Sequence, residues 1–245
     1  PGRCFPPAPP AATFRMTIPR RAARPFRLIV FDWDGTLMDS IGTIVECTLA
    51  AIGDVPGAPR PPAERVRDSI GLGLLETMTR FFPDGDPDLF ERVAQAYRER
   101  WWAEYKNRSK LIPGARETVE RLHGDGYFLG VATAKSRGGL ERELGESGLG
   151  PFIHASRTVS EAPSKPAPEM LTQLFEELGV APDEALMVGD TSWDLEMAAN
   201  AGCAAVAVLS GAQREPSLRP AAPLACLPSV AALPAWLTGA RAAAG

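Results

Sequence analysis

Two pairs of acids carry the chemistry most legible in this chain. Asp32 and Asp34 stand in FDWDGTLMDS, residues 31–40, and Asp190 and Asp194 in LMVGDTSWD. Residues two apart in an extended segment project to one side, so Asp32 and Asp34 can converge, while Gly35 lets the chain turn sharply away. A helix cap would account for one acid of the second pair but not for both. Carboxylates gathered from two strand ends repel unless a cation sits among them, and an all-oxygen donor set suits Mg²⁺. Zinc is disfavoured, because the two histidines, His123 and His154, have no ligand spacing and read as structural or surface residues.

Two smaller signals lie between the acid pairs: Thr133, at the end of an apolar run, and Lys165 in SKPAPE. Taken singly, they read as an ordinary strand end and a solvated lysine. The order acid pair, hydroxyl, lysine, acid pair is what phosphoryl transfer requires. A phosphate dianion needs donors and positive charge, and an attacking carboxylate needs help against that dianion.

These residues need a frame that brings them together. RLIVF, ending at Phe31, is a continuous apolar run bounded by Asp-Gly, the pattern of a strand buried on both faces. Similar runs fall at 128–132, 185–188 and 204–209. Helical spacing of apolar residues marks 115–125, 138–147, 169–178 and 192–201. Alternating strands and helices imply a parallel sheet covered on both faces, with ligands at the carboxyl ends of its strands. The stretch 41–111 breaks the rhythm: it is helical, punctuated by proline and glycine, and has no convincing strand. Within it, VAQAYRERWWAEYK (93–106) predicts a helix whose rings, at Tyr97, Trp101, Trp102 and Tyr105, are expected mostly in core packing. SIGLGLLE (69–76) is not a nucleotide-binding loop, since no strand precedes it and Glu76 stands where a third glycine belongs.

In order and spacing, FDWDGTLMDS, VATAKS, SKPAPEM and GDTSWDLEMAANAG resemble the four motifs of the haloacid dehalogenase-like hydrolase superfamily, within it the phosphoglycolate phosphatase group. The resemblance implies a Rossmann-like α/β fold with an inserted α-helical cap, the core formed by 26–40 and 112–245 and the cap by 41–111. It implies that Asp32 attacks phosphorus, and that Asp34 protonates the leaving alcohol and then activates water. Mg²⁺ would be held by Asp32, the backbone carbonyl of Asp34, Asp190 and Asp194. Thr133, Ala134 and Lys165 would bind the phosphoryl group. Asp34 favours phosphate esters over organohalides, because halide leaves without a proton. One departure is Ala167, where close relatives often have histidine. The implied activity is hydrolysis of a small phosphomonoester, 2-phosphoglycolate first. A sugar-phosphate phosphatase or phosphomutase would use the same residues. A catalytically idle regulatory protein would typically lack one of the acids.

Composition supports these expectations. Across 245 residues, 45% hydrophobic side chains can supply a core, and 30 acidic against 26 basic residues argue against a nucleic-acid surface. A small phosphorylated metabolite is the expected partner. No apolar run approaches a membrane span. Four scattered cysteines read as reduced thiols of a cytoplasmic protein. Residues 1–25, rich in proline, alanine and arginine, are expected to be a disordered extension. Oligomeric state is left open.

Overall fold

The structure, a computed structural model of the chain, describes residues 25–83 and 85–243. Apart from Pro25, the expected disorder at the amino end lies outside the described residues. The core is a six-stranded sheet. Its strands β1 (Leu28–Phe31), β4 (Phe128–Thr133), β5 (Ala155–Thr158), β6 (Ala185–Gly189), β7 (Ala204–Val208) and β8 (Cys226–Leu227) pair in the order β5-β4-β1-β6-β7-β8. Every neighbouring pair is parallel. A small antiparallel pair, β2 (Met38–Asp39) with β3 (Lys110–Leu111), stands apart.

Alternation along the strands explains why they read as unbroken apolar runs. On β1, Ile29 and Phe31 enter one core while Leu28 and Val30 enter the other; Val188 and Met187 divide in the same way on β6. Helices α5 (Ala115–Gly124), α6 (Arg137–Ser147) and α10 (Leu233–Ala243) close the first face through Val119, Leu122, Leu140 and Leu237. Helices α7 (Glu169–Leu178), α8 (Ser192–Asn200) and the short α9 (Glu215–Leu218) close the second through Leu171, Leu174, Met197 and Leu218. Each large apolar side chain so buried contributes roughly 1.5–3 kcal/mol.

Between β2 and β3 the chain forms the inserted helices α1 (Ile41–Asp54), α2 (Ala63–Asp68), α3 (Leu74–Phe81) and α4 (Pro87–Arg100). They have a core of their own, built from Ile52, Val66, Met78, Phe81, Phe82 and Val93. At Trp101–Tyr105 helix α4 passes into a π-helical turn. The wider turn shifts side chains off the face that α-helical spacing projects, and the expectation of core packing for the rings fails in part. Tyr105 is buried, but Trp102 is 51% exposed. Trp101 stacks on Tyr97 with centroids 5.8 Å apart, and both line a cavity.

Four strands escaped the sequence pattern: β5, β8 and the paired β2 and β3, the last of which corrects the expectation that 41–111 holds no strand. β5 (ASRT) is polar at three of its four residues because it is an edge strand, and β2, β3 and β8 are each only two residues long, too short to show a period. Both histidines are structural: the ring of His123 packs on Phe152, and His154 Nδ1 accepts from the backbone N–H of Leu129 at 3.1 Å. Among the described residues no helix is long and apolar enough to cross a membrane.

Candidate active site

The central strands β1, β4 and β6 deliver their functional residues to one edge. Asp32 directly follows β1, Thr133 ends β4 and Asp190 directly follows β6. Parallel strands leave their carboxyl ends together, and β1 lies between the other two. Asp194 arrives from the first turn of α8. There Thr191 caps the helix and donates to Asp194 Oδ2 from its backbone N–H at 3.1 Å and its hydroxyl at 2.7 Å. Asp194 Oδ1 is thereby left for another partner.

That partner is Lys165, which precedes a cis peptide bond to Pro166. Its ammonium donates to Asp194 Oδ1 at 2.6 Å and to Asp32 Oδ1 at 2.5 Å, with the side chain fully buried. The lysine read in isolation as solvated is thus the cation at the centre of the site. Burial works against its charge, yet Asp194 and Asp32 more than offset that, and its pKa is raised.

Oxygens of Asp32, Asp190 and Asp194 lie within 4.8 Å of one another, and all three residues are buried. Asp190 is held at both oxygens, by Thr36 Oγ1 (3.1 Å) and the backbone N–H of Ala212 (2.6 Å). Gly35, at φ +88°, and Gly211 flank it so closely that a Cβ on either would collide with its carboxylate. Glycine is required at both positions by proximity, and at Gly35 by backbone conformation as well. Burial, opposed by Lys165 and reinforced by Asp194, pushes the Asp32 carboxyl up to about 7. Burial and the neighbouring charges of Asp32 and Asp194 hold Asp190 well above the carboxylate range. With all three carboxylates ionised, the one ammonium would leave two negative charges in excess in a buried, all-oxygen pocket, which is why protons are held there without a cation. That donor set fits a hard divalent cation.

Asp34 departs from this cluster. Its Oδ1 accepts from Ser40 Oγ at 2.6 Å and pairs with Lys135 Nζ at 3.1 Å. Lys135 also pairs with Glu143 on α6 at 2.9 Å, and Glu143 accepts from the buried indole of Trp33 at 2.5 Å. Burial opposes the Lys135 charge, but Asp34 and Glu143 raise its pKa. Sequence reasoning missed Lys135, Glu143 and Trp33. Lys135 had a signal, because it follows Thr133 by two residues in the loop at a strand's carboxyl end. Glu143 had none, for on a helix it looks like any exposed acid.

Asp34, Ala134 and Lys135 form one wall of a cavity of about 560 Å³, whose other wall comes from the inserted helices. Thr133 precedes Ala134 and is buried, its hydroxyl accepting from the backbone N–H of Lys135 at 3.3 Å. The inserted helices are fastened beside the acids: the Gly73 N–H donates to Ser164 Oγ at 2.7 Å, and Arg80 lies 4.3 Å from the Trp193 ring centroid.

A lysine-clamped carboxylate beside an oxygen-lined cation pocket suits a phosphoryl dianion, and fold and site together define a phosphoric monoester hydrolase. A family model described as Haloacid dehalogenase-like hydrolase matches residues 29–208, and the chain belongs to that family. It is similar to a phosphoglycolate phosphatase of Vibrio parahaemolyticus serotype O3:K6, 31% identical over 76% of this chain and 84% of that one. It is also similar to the Dickeya dadantii protein named Probable phosphatase IndB, 32% identical over 80% of this chain and 86% of the relative. Among solved structures, a hydrolase from Pseudomonas syringae superposes with a TM-score of 0.77 at 25% identity, covering 88% of this chain and 99% of that one.

Proposed function

We propose that the protein is a Mg²⁺-dependent phosphatase that hydrolyses a small phosphomonoester, with 2-phosphoglycolate the leading substrate, through an aspartyl-phosphate on Asp32. The observation that carries this reading is the position of Lys165, bonded at once to Asp32 and Asp194 inside the three-acid pocket. The name of the Vibrio relative supports the substrate. The division into a core of 26–40 and 112–245 and a cap of 41–111 belongs to the same proposal.

Asp32 attacks phosphorus while Lys165 steadies it and, with Thr133 and the Ala134 segment, holds the phosphoryl oxygens. Asp34 gives its proton to the departing alcohol, then takes one from the water that attacks the aspartyl-phosphate and frees Asp32. Ser40 and Lys135 both engage Asp34 Oδ1, which leaves Oδ2 for these proton transfers. Asp32, Asp190, Asp194 and the backbone carbonyl of Asp34 would hold Mg²⁺, which when bound neutralises the pocket and stabilises charge on the phosphoryl oxygens. The inserted helices shield the reaction from water. Cytoplasmic residence is part of the proposal: Cys47, Cys203 and Cys226 are unpaired, and burial pushes the Cys47 and Cys203 thiols up to about 12.

A screen of small phosphate esters with Mg²⁺ tests the reading, and inactivity toward all of them overturns it. Asp34→Asn separates the two half-reactions. With p-nitrophenyl phosphate, whose leaving group needs no proton, it is expected to release about one equivalent of nitrophenol rapidly and then turn over roughly 10²- to 10⁴-fold more slowly than the parent. A steady rate equal to the parent's, with no burst, would contradict the role given to Asp34.

Cation binding also has a predicted pH signature. Asp32 has a folded pKa of about 7 against a usual 3.8. The cation-free fold therefore holds protons that the unfolded chain has released, and it loses stability as pH rises between those values. A divalent cation replaces those protons, so its affinity grows over the same window. At 100 times its Kd, Mg²⁺ stabilises by about 2.7 kcal/mol, or roughly 5–10 °C in Tm for a chain of this size. Scanning calorimetry is expected to show that shift at pH 8 and a much smaller one at pH 5. Equal shifts at both would remove the linkage.

A further inference from the structure

Among the described residues, one cation in the cavity wall has no acid partner. The charged residues lining the cavity are Asp34, Glu76, Arg98, Lys135, Arg142 and Glu143. Lys135 is answered by Asp34 and Glu143, and Arg98 by Glu91 at 3.0 Å. The carboxylate of Glu76 lies against Gly73 at the start of α3. Among the described residues of this wall, Arg142 is the basic side chain without an acid partner. Its guanidinium stacks on Trp102, 3.6 Å from the ring centroid.

Stacking occupies a flat face of the guanidinium and leaves its in-plane N–H donors open, which is the geometry that forks a carboxylate or phosphate. It also restricts the rotamers of a long side chain, so less entropy is lost when an anion binds. Space is available beside it. A helical side chain lies over the turn before its own Cα, and for Arg142 that turn carries Gly138 and Gly139. Gly139 lines the cavity, and a Cβ on Gly138 would meet nothing within 4 Å. Arg142 belongs to α6 of the sheet-bearing core and opens on the same cavity as Asp34.

We infer that the leaving alcohol carries a second anionic group, carboxylate or phosphate, which the fork of Arg142 binds while Asp34 serves the bridging oxygen. This inference rests on the phosphatase reading. Each ester would then be held at two points, the phosphoryl group over Asp32 and the second anion at Arg142, and esters of neutral alcohols would lack the second.

Matched ester pairs test it: 2-phosphoglycolate against ethyl phosphate, and propane-1,3-diol bisphosphate against propyl phosphate, with p-nitrophenyl phosphate as a reference. The parent is expected to prefer the anionic member of at least one pair in kcat/KM, and the pair with the larger ratio identifies the anion. Arg142→Ala should reduce that ratio about 10- to 100-fold, mainly through KM, as loss of a charge-assisted hydrogen bond does. Arg142→Lys should fall between, since an ammonium cannot fork. No preference in the parent, or a ratio unchanged in Arg142→Ala, overturns the inference while leaving the phosphatase reading intact. Failure to hydrolyse any ester, p-nitrophenyl phosphate included, overturns both.

Discussion

Asp32→Asn is expected to lower turnover by at least about 10⁴-fold toward every ester, because an amide oxygen cannot attack phosphorus and no other described carboxylate shares its bond to Lys165 except Asp194, which Thr191 holds in place. The same change should make the cation-free protein more stable above neutral pH. Asp32 is buried, and its pKa of about 7 means that the fold prefers it neutral. Asparagine resembles that neutral acid and never ionises. The cation-free variant should therefore melt above the cation-free parent at pH 8, and the gap should close toward pH 5, where the parent's Asp32 is itself protonated. Gain of stability with loss of activity is the mark of a residue kept for chemistry against the interest of the fold. Steady-state rates and calorimetry on the same two proteins check both halves. A variant that retains a tenth of the parent rate cannot have lost its nucleophile.

Lys165→Met should be costly on both counts. The methionine fills much of the same space, but the ammonium that holds Asp32 and Asp194 is gone, and three buried acids face one another with no internal cation. Breaking a buried pair by removing one partner costs about 3–5 kcal/mol. For a chain of this size that is on the order of 10 °C in Tm. Activity should fall at least about 10²-fold, since a donor to the phosphoryl oxygens and the clamp on the nucleophile vanish together. Millimolar Mg²⁺ should recover part of the stability, because it supplies positive charge to the same oxygens, and little of the activity, because it cannot replace the lysine's bond to Asp32. A variant as stable as the parent without Mg²⁺ would show that the lysine does not hold the acids together.

These two side chains differ in how far the sequence alone disclosed them. Asp32 was legible because its signal is local: a buried apolar run, an acid, a second acid two residues on and a glycine lie within ten positions. Lys165 acquired meaning only from its order between the acid pairs and from family resemblance, for a lysine before proline is otherwise unremarkable. Asp190 and Asp194 stand between these cases, visible as a pair but open to a capping explanation. In the structure one acid does both: Asp194 accepts the bonds from Thr191 that start α8 and also the ammonium of Lys165.

The alternation of apolar runs with helical periods determined the parallel sheet and its two covered faces, because strands buried on both sides must be apolar throughout and the helices between them must each show an apolar stripe. The acid pairs, Thr133 and Lys165 were readable as candidates from residue type, order along the chain and, for Lys165, family resemblance. What only the tertiary structure decided are contacts between residues far apart in sequence that look ordinary in their own segments. Glu143 meets Lys135 and Trp33 because α6 packs through Leu140 into the same core as Trp33. Trp101 and Trp102 leave the core because a π-turn rotates them into the cavity wall. Arg142 stands without an acid partner among the described residues, stacked on Trp102 while its neighbour Glu143 is taken by Lys135. A charge's partner, or its lack of one, is a property of packing in three dimensions, and a single sequence records it only where the partners lie within a turn or two of each other.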